Sequence, residues 1–102
     1  MDGSTRIELI QMGWKIHSVV EENYLQYPAT KNGDNGSGNW MEKQRLLMAD
    51  MAIHLFQTAL KPGNIALDTL KNNLHAILTI SDQFLPHADF KKATEKIYID
   101  HQ

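Results

Sequence analysis

Two pairs of polar side chains in this sequence have the spacing of metal ligands on a helix. His17 and Glu21 are four residues apart, and so are Asp50 and His54. Residues four apart share one face of an α-helix, so each pair could direct two ligands to one ion. The sequence lacks Glu-x-x-His, which builds carboxylate-bridged metal sites in bundles, and the His-Glu-x-x-His of zinc proteases. Histidines on polar helix stripes commonly face solvent, so we expect no metal site.

The residue patterns of other kinds of catalysis are missing as well. The chain has no cysteine, and it contains no Gly-x-Ser-x-Gly turn to present a nucleophilic serine. The glycines of "NGDNGSGN", residues 32–39, follow neither the phosphate-loop pattern nor the dinucleotide-binding pattern. We therefore expect a protein that is not an enzyme, with no catalytic residues and no cofactor.

The first element that would position these side chains is a helix from Thr5 to Tyr27. Thr5 and Glu8 have the spacing of a capping box, and Pro28 ends the pattern. Gly13, inside the helix, is either tolerated or allows a neighbouring helix to approach closely. The apolar residues recur at steps of three and four and form one stripe: Leu9, Met12, Ile16, Val20, Tyr24 and Tyr27.

A second helix is predicted from about Trp40 to Leu60, with Asn39 as its cap. Its polar residues form a narrow stripe: Lys43, Asp50, His54, Gln57 and Lys61. Nearly all its other residues are apolar, so the helix is either the centre of a bundle or part of an interface with a second copy.

The rest of the chain predicts two more helices, the third from about Ile65 to Phe84 and a short fourth from about Ala88 to Ile99. In the third, Leu67, Leu70, Leu74 and Ile77 alternate by three and four, and we expect them to be buried together. Gly63 suits a left-handed turn and Asn64 a cap between helices two and three, while Pro86 separates helices three and four. Short connections favour antiparallel neighbours, so the predicted fold is an all-α, up-and-down four-helix bundle.

The segment between helices one and two, at about residues 28–39, is predicted to be a flexible loop. Ala29 to Gly38 consists mainly of glycine, asparagine and other polar residues, which favours a plain connector over an ordered binding loop. Four residues at its ends belong to types enriched at partner interfaces: Tyr24, Tyr27, Trp40 and Met41. They either close the end of the bundle or bind a partner.

Length and composition predict a single helical domain covering residues 1–102, with 42% apolar and 22% charged residues. The charges are spread evenly, so no basic face predicts nucleic-acid binding. No apolar run is long enough for a membrane span or a signal peptide, and we expect a cytoplasmic protein.

These patterns together favour a small protein-binding module over an enzyme. It would be an adaptor, chaperone, inhibitor or regulatory subunit that acts through the apolar surface of helix two, and we expect a homodimer. The alternative is a helical protein that binds a small molecule or nucleotide in a pocket between helices near the 28–39 loop. No residue motif identifies a known protein family.

Overall fold

The computed structural model describes residues 1–27 and 37–99, with residues 37 and 38 described as backbone only. These residues form four α-helices, α1 (Gly3–Leu25), α2 (Ser37–Leu60), α3 (Leu67–Ser81) and α4 (Phe90–Ile97). A 3-10 turn, Pro86–Ala88, precedes α4, and no strand occurs in the described ranges. The predicted all-α fold of three long helices and one short helix is confirmed.

Hydrogen bonds between helices show the up-and-down order. Arg6 at the start of α1 contacts Leu60 at the end of α2, whereas Tyr24 near the end of α1 contacts Lys43 near the start of α2. Two further hydrogen bonds show that α3 runs antiparallel to α2: Gln83, just after α3, donates to Gln44, and Thr58 donates to Asn73. α1 packs on α2, α2 on α3 and α3 on α4, so α2 is flanked by α1 and α3.

The ends of α1 and α2 are capped across the helix pair. The guanidinium Nη1 of Arg6 donates to the last carbonyl of α2, that of Leu60, at 2.6 Å. In return, Nζ of Lys43 donates to the carbonyl oxygens of Tyr24 and Tyr27, at 2.9 and 3.0 Å. Neither helix has a basic residue in its own last turn. Each C-terminus, which carries partial negative charge, therefore receives its cation from the other helix.

Local backbone conformation explains the connections around α3. Gly63 has φ 90°, the left-handed conformation predicted for it, where a side chain would be strained. The cap of α3 is Ala66, which makes no side-chain capping hydrogen bond, so the prediction of Asn64 as cap was wrong. Asp89 is also left-handed, with φ 58°, and redirects the chain from the 3-10 turn into α4.

Helix starts also differ from the sequence expectation in two places. The cap of α1 is Asp2, whose Oδ1 accepts from the backbone N–H of Thr5 at 2.7 Å. The helix therefore begins before the predicted capping box. α2 begins at Ser37, so Asn39 lies inside a helix rather than at its cap. The rest of the predicted loop and connector, residues 28–36, lies outside the described residues.

The interior of the fold is small. Ile80, at 9% exposure, is the one large apolar side chain of the described ranges that is buried, and none of the described side chains is completely enclosed. The predicted seam of α3 is wrong, because Leu67 is 62% exposed and Leu74 36% exposed. One cause is that α4 packs beside the polar residues of α3, where the hydroxyl of Tyr98 donates to Oδ1 of Asn72 at 2.8 Å.

Candidate functional site

Lys43, Asp50 and Gln57 of the polar stripe of α2 lie against α1 rather than facing solvent. Lys43 and Gln57 are buried, with 6% and 8% of their surface exposed. Gln57 donates through Nε2 to the carbonyl oxygen of Ile10 at 2.9 Å, and Asp50 lies against His17. Polar contacts therefore hold the α1–α2 seam, and apolar side chains of both helices are left facing outward.

Gly13 sets the distance between the two helices at this seam. It is the buried residue of α1, and a Cβ atom built on it would overlap Nε2 of Gln57 and approach the ring of Phe56 to 3.0 Å. Of the two sequence interpretations of Gly13, the close approach of a neighbouring helix is the correct one. The close packing also brings apolar residues of α1 and α2 side by side.

These apolar residues form an open groove on one face of the α1–α2 pair, which we call the apolar groove. It has a volume of about 260 Å³ and is lined by apolar residues throughout: Leu9, Met12, Gly13, Ile16, Ala52, Ile53 and Phe56. Met12 and Ile16 are 56% and 55% exposed, and Phe56 is 40% exposed. Part of the apolar stripe of α1 is thus open to solvent.

The whole chain exposes more surface than a compact protein of its size. Its accessible surface is 7325 Å², whereas a folded monomer of this mass exposes roughly 5,800 Å². Its radius of gyration is 16.0 Å, against about 13 Å for a compact domain of 100 residues. The molecule is flattened, measuring 48 × 38 × 17 Å. Within the described ranges, large apolar side chains such as Met12, Ile16 and Leu67 remain exposed.

The four residues predicted to bind a partner lie at one end of the α1–α2 pair. Tyr24 and Tyr27 are at the end of α1, Trp40 and Met41 are in the first turns of α2, and each is half-buried. The ammonium of Lys43 lies 3.9 Å from the ring centroid of Tyr24. Sequence reasoning therefore placed these residues at a common end, and their binding of a partner stays a prediction.

Two clefts could hold a small molecule. The cleft between α1, α2 and α3 has a volume of about 360 Å³ and is lined by Ile10, Trp14, His54, Gln57, Thr58, Lys61, Ala66, Thr69 and Asn73. It lies beside the C-terminal half of α2. A second cleft of about 340 Å³ lies between the end of α1 and the N-terminal half of α2 and is lined by Glu21, Tyr24, Leu25, Leu47 and Asp50.

The histidine pairs seen in the sequence combine across the helices. His17 of α1 meets Asp50 and His54 of α2, and one ligand atom from each lies within 4.8 Å of the other two. Glu21, which the spacing pairs with His17, is not a member of this cluster. Spacing along one helix identified the Asp50–His54 pair, but His17 joins it only through the register of α1 on α2.

Comparison of the chain with protein-family models, with curated proteins and with solved structures finds no match. None of the described helices combines the length and the apolar content that crossing a bilayer requires. The geometry of the described residues is therefore the basis for assigning a function.

Proposed function

We propose that this chain is a small helical protein-binding module, and that its partner at the apolar groove is a second copy of itself. Its role would be that of an adaptor, chaperone, inhibitor or regulatory subunit in the cytoplasm, without catalysis and without nucleic acid. The observation that carries the proposal is the apolar groove, with Met12 and Ile16 more than half exposed. Monomeric proteins rarely leave a contiguous patch of this kind open to water.

The symmetry of a dimer supports a second copy as the occupant. A two-fold axis places the same patch on both sides of an interface. One apolar groove can therefore cover another, and the exposed parts of Met12, Ile16 and Phe56 would be buried together.

The oligomeric state of substituted proteins tests this proposal. We expect the wild type to sediment as a dimer at micromolar concentration, and Met12→Glu and Ile16→Glu to sediment as monomers. A carboxylate in the apolar groove would have to be desolvated in the dimer. The free energy required for this exceeds the free energy gained by dimer formation. Circular dichroism checks that both variants stay helical.

Leu67→Glu is the matched control, because Leu67 is equally apolar, 62% exposed and outside the groove. This variant should remain a dimer. A wild type that is monomeric at high micromolar concentration would refute the homodimer. If Met12→Glu and Ile16→Glu remained dimers, the interface would lie outside the apolar groove. The end that bears Trp40 would then be the next surface to substitute.

A second candidate function is the binding of a small molecule in the cleft between α1, α2 and α3. Its volume of about 360 Å³ is within the usual range for ligand sites. The lining combines the indole of Trp14 with polar groups of His54, Gln57 and Asn73. Lys61 adds a positive charge, so an anionic aromatic molecule, such as a nucleotide, is the class that fits best.

Fluorescence of Trp14 can test this second candidate, since the chain has two tryptophans. In a Trp40→Phe protein, Trp14 is the one remaining reporter, and AMP serves as the probe. Saturable quenching that Lys61→Met weakens would support the cleft as a binding site. Quenching that is linear in concentration and unchanged in Lys61→Met would count against it.

A further inference from the structure

We propose that His17, Asp50 and His54 form a binding site for a divalent transition-metal ion, with Zn²⁺ as the ion that suits it best. Nε2 of His17 lies 2.7 Å from Oδ1 of Asp50, and Nε2 of His54 lies 3.5 Å from Oδ2 of the same carboxylate. Ligand atoms about 2.1 Å from a tetrahedral ion lie roughly 3.4 Å from one another. The observed separations bracket this value, so small side-chain rotations would close the site.

The backbone holds two of the three ligands in place before any ion binds. Asp50 and His54 are one turn apart on α2, so both side chains lie on the same face. His17 comes from α1, one turn beyond Gly13, whose lack of a side chain allows the helices to pack closely. The same close packing that opens the apolar groove on one face therefore brings the third ligand within reach.

One carboxylate oxygen of Asp50, Oδ1, lacks the hydrogen bond that an enclosed charged atom normally has. The side chain of Asp50 is 15% exposed, and Oδ1 is enclosed, yet none of the described residues donates an aligned hydrogen bond to it. Nε2 of His17 is 2.7 Å from Oδ1 without the alignment of a hydrogen bond. Two ligand atoms placed side by side in this way suit a shared cation, which also compensates the buried charge.

The indole of Trp14 packs against both imidazole rings. Its ring centroid is 5.4 Å from that of His17 and 6.0 Å from that of His54, and both contacts are edge-to-face. The two imidazoles are themselves edge-to-face, with centroids 4.9 Å apart. This packing limits the rotation of the rings, and groups that orient histidine ligands contribute to metal affinity.

The set of donor atoms indicates the class of ion. Two imidazole nitrogens and one carboxylate oxygen suit Zn²⁺ and other first-row divalent ions better than Mg²⁺ or Ca²⁺, which prefer oxygen. Three protein ligands leave a fourth tetrahedral position for water or an anion. His54 is 38% exposed and also lines the cleft between α1, α2 and α3, so that position is accessible from solvent.

Calorimetric titration of the untagged, EDTA-treated protein with Zn²⁺ tests the site. We expect one ion per chain and a rise in melting temperature, because an ion that binds the folded state alone stabilises it. His17→Ala and His54→Ala should each weaken Zn²⁺ binding at least about 10-fold. Even the loss of a residue that only orients a metal ligand lowers metal affinity about 10–100-fold. Co²⁺ should give the strong visible absorption of a tetrahedral site in the wild type and lose it in both variants.

His87→Ala is the control, because His87 is an exposed histidine outside the cluster. It should bind Zn²⁺ as the wild type does. Ile16→Glu should also bind normally, which separates this site from the dimer proposal. The proposal would be overturned if the wild type did not bind Zn²⁺ at high micromolar concentration. It would also be overturned if His17→Ala and His54→Ala, with unchanged circular dichroism, bound Zn²⁺ as tightly as the wild type.

Discussion

Lys43 and Tyr24 are joined twice, through the backbone and through the ring. Nζ of Lys43 donates to the carbonyl oxygen of Tyr24 at 2.9 Å and lies 3.9 Å from the centroid of its aromatic ring. The lysine is 6% exposed, and its ammonium also reaches the carbonyl of Tyr27. A buried lysine is tolerated here because a helix C-terminus and a π-face both favour its positive charge.

Replacing this lysine should destabilise the fold. We expect Lys43→Met to lower the free energy of unfolding by about 1.5–3 kcal/mol, the usual value of hydrogen bonds to a charged group. Methionine keeps the length of the side chain but leaves the carbonyls of α1 without their donor. Urea denaturation measures the effect, and Lys15→Met, at an exposed position of α1, is the control. Equal effects of the two substitutions would show that the end of α1 does not depend on Lys43.

Gly13→Ala should destabilise the protein even though alanine favours helix by about 1 kcal/mol over glycine. The added Cβ meets Nε2 of Gln57, and Gln57 cannot move away without losing its hydrogen bond to Ile10. Overpacking of this kind costs about 1–3 kcal/mol. In the same thermal-denaturation series, Gly3→Ala should be neutral or stabilising, because nothing lies within 4 Å of that position. A higher melting temperature for Gly13→Ala would contradict the close packing of α1 on α2.

The loss of stability when side chains of α3 are truncated to alanine should depend on how buried each side chain is, and not on its place in the leucine repeat. Ile80→Ala should cost about 2–4 kcal/mol, since Ile80 is 9% exposed. Leu67→Ala should change the free energy of unfolding by less than about 0.5 kcal/mol. Leu74→Ala should have an intermediate effect, because Leu74 is 36% exposed. Chemical denaturation that ranks Leu67→Ala as the most damaging of the three would restore the leucine seam as the core.

The capping of α1 should be visible in an acid titration. The hydrogen bond from the backbone N–H of Thr5 holds the pKa of Asp2 below its ordinary value of 3.8. Because the pKa is lowered in the folded protein, ionised Asp2 contributes its full stabilisation of α1 above the ordinary pKa. This contribution is lost as pH falls through the lowered pKa. The amide signal of Thr5 in NMR spectra should therefore shift with a midpoint below 3.8. Asp2→Asn should abolish this shift, and a midpoint at or above the ordinary value would contradict the capping contact.

The helices themselves were predictable from the sequence because their signals are local. The Pro62-Gly63 pair ends α2 within a residue or two of the expected position, and Gly63 has the left-handed conformation that the pattern required. It was harder to predict from the sequence which faces of the helices pack together. Lys43 and Gln57 bind backbone carbonyls of α1, and every residue has a carbonyl, so no residue type marks the partner of such a contact.

The metal-ligand cluster shows the same division between local and long-range information. Asp50 and His54 are recognisable as a pair from their spacing alone. His17 lies 2.7 Å from Asp50 but in another helix, so its membership depends on the register between α1 and α2. Gly13 was the one sequence signal of that register, and its close approach to Gln57 and Phe56 fixes it.

The exchange of caps between α1 and α2 has a consequence for how the protein opens. Arg6 donates to the last carbonyl of α2, and Lys43 donates to one carbonyl in the last turn of α1 and to one just beyond it. Loosening one helix removes the cap of the other, so the two cannot fray independently and should open in a single cooperative step. α4, which packs chiefly on α3, lacks this exchange of caps. Amide hydrogens of α1 and α2 should therefore exchange with deuterium at one common slow rate, and those of α4 should exchange earlier.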